Sequence, residues 1–198
     1  MPDLPTHPPL VLGSTSIYRR ELLARLRLPF EVCAPDVDET PEAGESPAAL
    51  APRLALAKAR AVASQHPNAV VIGSDQVADL NGLPLGKPVT HERAVIQLTQ
   101  MSGQTVVFHT AVAVVRPSTG FERVDVAAVR VQFRHLSALD IEHYLRAEQP
   151  YDCAGSAKSE GLGIALLDRI DNDDPTALIG LPLIRTARLI REAGIALL

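Results

Sequence analysis

TVVFHTAVAVVRPSTGFERVDVAAVRVQF (residues 105–133) decides the fold. Two long runs rich in β-branched residues, 105–115 and 121–133, flank Ser118, Thr119 and Gly120. That pattern reads as two antiparallel strands joined by a turn. In the second run Val129, Val131 and Phe133 share one face, whereas Val124 and Val126 are out of phase with them. A bulge or twist near Ala127 reconciles the two. Upstream the chain alternates between strand and helix. PLVLG (9–13) and AVVIG (69–73) are compact apolar runs suited to buried strands, and FEVCAP (30–35) reads as a further strand. IYRRELLARLRL (17–28) carries Leu22, Leu23 and Leu26 at helical spacing. Ser46 followed by Pro47 opens a helix that runs to about Gln65, where His66, Pro67 and Asn68 stop it. Asn81-Gly82 signals a hairpin. Thr90 caps a helix through Met101, Ser137 and Asp140 resemble a capping box for a short helix to Ala147, and residues 183–192 form the last helix. Helices set against a mixed sheet follow from this order, in an α/β or α+β arrangement.

The length, 198 residues, fits one domain with two lobes, expected over residues 10–198 behind an N-terminal extension, residues 1–9. With 46% hydrophobic and 21% charged residues the chain reads as globular rather than disordered. A net charge of -4 gives no global attraction to a nucleic-acid polymer or an anionic membrane, so a bound anion must be drawn by a local cluster. No run of eighteen apolar residues exists, and the proline-broken MPDLPTHPP has no signal-peptide pattern. Cys33 and Cys153 form no CxxC and are too few for a zinc set or disulfide framework. They read as reduced thiols of a reducing compartment.

Chemistry concentrates in a few segments. Gly13-Ser14-Thr15-Ser16 lies between a strand and a helix, where small hydroxyl residues let an anion approach helix N–H groups. Arg19 and Arg20 sit where the helix dipole disfavours them unless an anion is near. The same pattern also serves as a plain helix cap with surface arginines. Asp36, Asp38 and Glu39 can hold a hard cation or form a solvated loop. Gly73-Ser74-Asp75-Gln76 is read as following a buried strand directly, at the carboxyl end where α/β proteins bind ligands. There Asp75 can activate water or bind a metal, and Gln76 can read a base. An Asx turn is the structural alternative. Lys58, Lys87, Arg19 and Lys158 together supply the positive field a triphosphate needs, although each lysine alone can be a snorkelling or loop charge. His109 lacks a partner at ligand spacing and reads as a core or edge-strand histidine.

LGSTSIYRRELL (12–23), VDET (37–40), LAKARA (56–61), IGSDQV (72–77), GKP (86–88) and GLPL (180–183), taken in order, resemble a Maf-type nucleoside triphosphate pyrophosphatase. Tyr18, Gln76 and CAGSAKSEGLGI (153–164) resemble its 7-methyl-GTP branch. The resemblance implies a Maf/Ham1-like fold, an elongated mixed sheet flanked by helices, with two lobes and a central cleft. It implies hydrolysis of the α–β phosphoanhydride with a divalent cation, Mg²⁺ or Mn²⁺, in a cytoplasmic and often homodimeric enzyme. It makes Asp75 the proton acceptor, with Lys58 and Lys87 beside it. Ser14, Ser16 and Arg19 then hold phosphate, Glu39 and Asp75 the metal, and Tyr18, Gln76 and Glu160 the base. Lys158 is an additional cleft residue. Rival readings are a dTTP/UTP or broader pyrophosphatase and, in another class, a non-catalytic nucleotide-binding regulator of cell division.

Overall fold

The expected antiparallel pair is the spine of a seven-stranded mixed sheet. In the computed structural model, which describes residues 7–198, β5 (Thr105–Arg116) and β6 (Phe121–Phe133) pair without a break from Thr105↔Gln132 to Arg116↔Phe121. Residues 1–6 of the expected N-terminal extension lie outside the described residues. The other strands are β1 (Leu10–Gly13), β2 (Glu31–Cys33), β3 (Val70–Leu80), β4 (Leu83–Leu85) and β7 (Leu167–Asp171). Their order is β2-β1-β3-β5-β6-β7, with β4 folded back on β3. β1 runs parallel to β2 and β3, and every other pairing is antiparallel.

The anticipated bulge near Ala127 is absent. The register passes through Thr110↔Ala127 unbroken, and the irregularity lies at Gln132/Phe133, where β7 pairs. The change of apolar phase has another cause: different elements cover opposite faces. On one face α2 (Pro47–Ala63) packs against Val71, Val77, Ala111 and Ala113, with Val126 at its margin. On the other, α3 (His91–Met101) and α4 (Ala138–Glu148) cover Val106, Phe108, Val129 and Val131. Further along that same face, α1 (Ile17–Ala24) and α5 (Leu183–Glu192) cover Leu12, Ile72, Val112 and Val114.

The helix starts follow their caps. Ser46, Thr90 and Ser137 each accept from the N–H three residues on, and Ser137 with Asp140 completes the capping box. Asn81 and Gly82, at φ +55° and +84°, make the two-residue turn between β3 and β4. Helix α1 is shorter than the leucine spacing suggests. It stops at Ala24, and Arg27 turns left-handed at φ +56°, so Leu26 and Leu28 reach the core from irregular chain.

The largest difference is in β3, which continues through Ser74, Asp75 and Gln76 rather than ending before them. Pairing with β5 carries it on, from Val71↔Val115 to Asp79↔Val107. Its other edge is interrupted. There β1 pairs residues 70–73 and β4 pairs residues 78–80, leaving residues 74–77 without a strand neighbour. Gly73 lies under α2 at the start of this window. A Cβ there would sit 2.2 Å from Ala55 O and 2.5 Å from Ala59 N. Only glycine lets α2 come this close to the sheet. Gly73→Ala should therefore lower stability by about 3 kcal/mol, the upper range for overpacking, or about 6–12 °C in Tm for a chain of this size. Thermal and urea unfolding check this, and an unshifted Tm would show that α2 yields freely.

Candidate active site

The gap in β3 opens into a cleft of about 780 Å³. Ser14, Ser16, Tyr18, Arg19, Glu39 and Lys58 line it, as do Asp75, Gln76, Lys87 and Glu160. Lys158 stands at its margin, and Arg20 points outward.

The hydroxyl loop uses its residues in both ways its sequence allows. Ser16 caps α1, its Oγ accepting from Arg19 N at 3.4 Å. The buried Ser14 Oγ accepts from Ser16 N at 3.2 Å and from an Arg19 Nη at 3.5 Å. Among the described residues neither hydroxyl nor any other acceptor takes the N–H of Ile17 or Tyr18, two first-turn donors of a helix that starts at the cleft. Arg19 Nε donates to Gly180 O at 2.9 Å. Among the described residues Arg19 pairs with no carboxylate; its hydrogen bonds go to a carbonyl and a hydroxyl. Desolvation lowers its pKa, with Asp75 and Glu39 acting in the opposite direction. An arginine keeps its charge nonetheless. Lys87 is exposed on the loop after β4 and, among the described residues, also lacks a carboxylate partner.

Lys58 and Asp75 form the buried centre. Lys58 Nζ donates to Asp75 Oδ1 at 2.6 Å and lies 2.7 Å from Glu39 Oε1. Lys58 and Asp75 are 5% and 7% exposed, whereas Glu39 reaches in from an exposed loop. Lys58 is thus committed to two carboxylates rather than free for phosphate. Asp75 Oδ2 accepts no hydrogen bond among the described residues and is not sealed from solvent, so it opens on the cleft. Of the acidic loop only Glu39 arrives. Asp36 is exposed, and Asp38 Oδ1 accepts from Thr40 N at 2.9 Å. Glu39 and Asp75 place two carboxylate oxygens around Lys58 Nζ. Among the described residues no group of three acidic, histidine or cysteine side chains is arranged to hold a metal ion, so a cation here would take one or two carboxylates and fill its shell with phosphate and water.

The other end is built around the Tyr18 ring, with charged side chains at its margin. Burial, then Cys153 and Asp152, push the Tyr18 phenol up to about 12, so its ring stays uncharged. Burial likewise pushes the Cys153 thiol up to about 12, leaving a protonated thiol and no nucleophile. Lys158 Nζ lies 5.7 Å from the Tyr18 ring centroid and 3.0 Å from Glu148 Oε1. Its charge is offset by Glu148, which corrects its place in the positive field. Gln76 Nε2 donates to Thr110 Oγ1 at 2.9 Å and to Ala177 O and Leu178 O, each at 3.0 Å. Among the described residues its Oε1 has no protein donor and is not sealed from solvent, which leaves it as an acceptor on a cleft-lining side chain.

His109 bonds Asp79 at 3.3 Å, away from the cleft. Sequence reading passed over Thr110 and the carbonyls of residues 177–180. A backbone carbonyl has no residue signature. Thr110 carried one faint mark, a hydroxyl at an inward-facing position of an otherwise apolar strand.

The family model described as Maf-like protein matches residues 9–193. A protein of Polaromonas sp. named 7-methyl-GTP pyrophosphatase is 76% identical over 98% of this chain and 88% of its own length. One of the same name from Albidiferax ferrireducens is 70% identical over 96% and 95%. Another, from Methylobacillus flagellatus, is 58% identical over 95% and 98%. The chain belongs to the Maf-like protein family.

Proposed function

We propose that this chain is a cytoplasmic nucleoside triphosphate pyrophosphatase that prefers 7-methyl-GTP and yields 7-methyl-GMP and pyrophosphate. The observation that carries the reading is the divided Asp75 carboxylate, Oδ1 anchored by Lys58 and Oδ2 open to the cleft. The anchored oxygen fixes the carboxylate plane. The open one takes a proton from water as the water oxygen attacks the α-phosphorus. The α–β bridging bond breaks, and the electron pair leaves with pyrophosphate. Arg19, Lys87 and the N–H groups of Ile17 and Tyr18 hold the phosphates and receive the developing charge. Ser14 and Ser16 position this seat rather than attack, because their hydroxyls already serve Arg19 and the α1 cap.

A triphosphate carries more negative charge than Arg19 and Lys87 neutralise, and Lys58 is already matched by Glu39 and Asp75. This balance supports a divalent cation, Mg²⁺ or Mn²⁺, for which Glu39 and the Lys58-anchored Oδ1 of Asp75 are the available carboxylate oxygens, Oδ2 being kept for the water proton. When bound, it supplies neutralisation of phosphate oxygens. For the base, Gln76 Oε1 and the Glu160 carboxylate are acceptors lining the same cleft. Guanine offers two adjacent donors, N1–H and N2–H₂. Thymine and uracil offer one, flanked by carbonyls. Methylation at N7 adds a delocalised positive charge, which the neutral Tyr18 ring and Glu160 both favour. A cytoplasmic setting fits the nucleotide pool such an enzyme draws on.

Pyrophosphate release from 7-methyl-GTP, GTP, dTTP, UTP and CTP tests the reading. The methylated guanine should lead in kcat/KM by about tenfold, the scale of one good polar contact. Equal rates across the panel would remove the base assignment and leave hydrolysis standing; no hydrolysis of any triphosphate would remove both. Asp75→Asn should cut kcat by about 10²–10⁴ while leaving KM little changed, and undiminished turnover would take the base role from Asp75. Tyr18→Leu should narrow the preference for 7-methyl-GTP over GTP about tenfold. Excess chelator should abolish turnover, and added Mg²⁺ or Mn²⁺ should restore it. Turnover that persists in chelator would remove the cation from the scheme.

A further inference from the structure

The geometry points to Thr110 as a positioning residue for base preference: a buried hydroxyl, out of reach of the nucleotide, that orients the amide of Gln76. The inference rests on the base-binding reading proposed above and adds the residue that governs it. Thr110 lies on β5 directly across from Gln76 on β3. It is 0% exposed and does not line the cleft. Its hydroxyl has one proton, and that proton goes to Ala177 O at 2.9 Å. Toward Gln76 Nε2, at 2.9 Å, the Thr110 oxygen can therefore only accept.

Gln76 Nε2 is thus ringed by acceptors: the Thr110 hydroxyl and the carbonyls of Ala177 and Leu178. Turning the amide over would set Oε1 against those carbonyls and forfeit the hydrogen bonds to them. The amine end stays inward, and the carbonyl end meets the base. Thr110 adds what the two carbonyls alone do not. It gives the amine a separate acceptor from across the sheet, and it ties the same amide to the turn at residues 177–179 through Ala177 O. Without that hydroxyl the amide keeps the two carbonyl acceptors but loses the one on β5, and Ala177 O loses the donor that ties it to the sheet. The amide plane is then held less firmly, and Oε1 meets the base over a wider range of orientations. A base that depends on that acceptor suffers most from the lost orientation.

The test is steady-state kinetics of Thr110→Val and Thr110→Ser with 7-methyl-GTP, GTP, dTTP and UTP. Thr110→Val should raise KM for the two guanine substrates with kcat retained, lowering their kcat/KM advantage over UTP about tenfold. Thr110→Ser should restore it. Thr110→Ala, smaller and equally without a hydroxyl, carries the same expectation should the valine variant fail to fold. In a Gln76→Leu background Thr110→Val should cause no further loss of preference. Losses that add in the double variant, an unchanged preference in Thr110→Val, or a uniform fall in kcat for every base would overturn the inference. A wild-type enzyme with no guanine preference would instead sink the base-binding reading beneath it. Wild-type preference together with an indifferent Thr110→Val isolates the failure to Thr110.

Discussion

Everything in the cleft hangs on the contact of Lys58 with Asp75 and Glu39. Burying an ammonium and a carboxylate is costly, and only close, well-directed pairing offsets it. Here both contacts are within 2.7 Å, and the pair is almost wholly out of solvent. Such a contact tolerates little displacement, since losing one partner of a buried pair costs about 3–5 kcal/mol. It therefore fixes the rotational phase of α2 on the sheet and draws the loop bearing Glu39 to the cleft wall. What makes the contact reachable is the bare backbone of Gly73, against which Ala55 and Ala59 lie. A packing constraint and an electrostatic one meet on the same helix, one turn apart.

The second constraint is the interruption of the sheet beside β3. Ordinary strand pairing hides one side chain row on each face and consumes both backbone edges. Where β1 has ended and β4 has not begun, residues 74–77 keep one edge free. The alternation of side chains then becomes useful. Asp75 faces α2 and the phosphate seat, while Ser74 and Gln76 face the turn at residues 177–180. Asp75 and Gln76, neighbours in sequence, thereby serve opposite faces and still border one cavity. Gly180 O joins the two sides, accepting from Arg19 Nε and from Ser74 Oγ.

Much of this was legible in the residues, and the parts that were not share a cause. Caps, the Asn81-Gly82 turn and the long antiparallel pair are local signals, and local signals translated directly into elements. The extent of β3 is not local. AVVIG looks complete in itself, and only the partner strand forty residues later carries it through Asp75. The phase change in β6 likewise looked like a bulge because one strand's pattern cannot reveal that two different covers lie on opposite faces. At the site, the residue types for phosphate, proton transfer and base contact were recognisable. Their pairings were not. Lys158 lost its free charge to Glu148, and Lys58 lost its own to two carboxylates. Composition counts charges; only geometry shows which are already spent.

The two ends of the cleft are held by forces of different strength. The phosphate end rests on a buried ion pair and a close helix–sheet contact, and small shifts there are expensive. The base end rests mainly on neutral hydrogen bonds worth about 1 kcal/mol each, with the partly exposed Lys158–Glu148 pair at its margin. One amide, Gln97, pins both of its loops, donating to Gly86 O at 3.0 Å and accepting from Ser156 Oγ at 2.5 Å. Val89 and Ser156, at φ +67° and +54°, hold left-handed backbone beside those loops, a conformation that persists only where its surroundings enforce it. Substitutions at the base end can therefore change which ring fits without disturbing Asp75 or Lys58. Substitutions at the phosphate end cannot be contained in that way, because the same helix that carries Lys58 also packs the core beneath Gly73. On the proposed reading of the site, hydrolysis and base preference are physically separable, and the separation runs through β3 between Asp75 and Gln76.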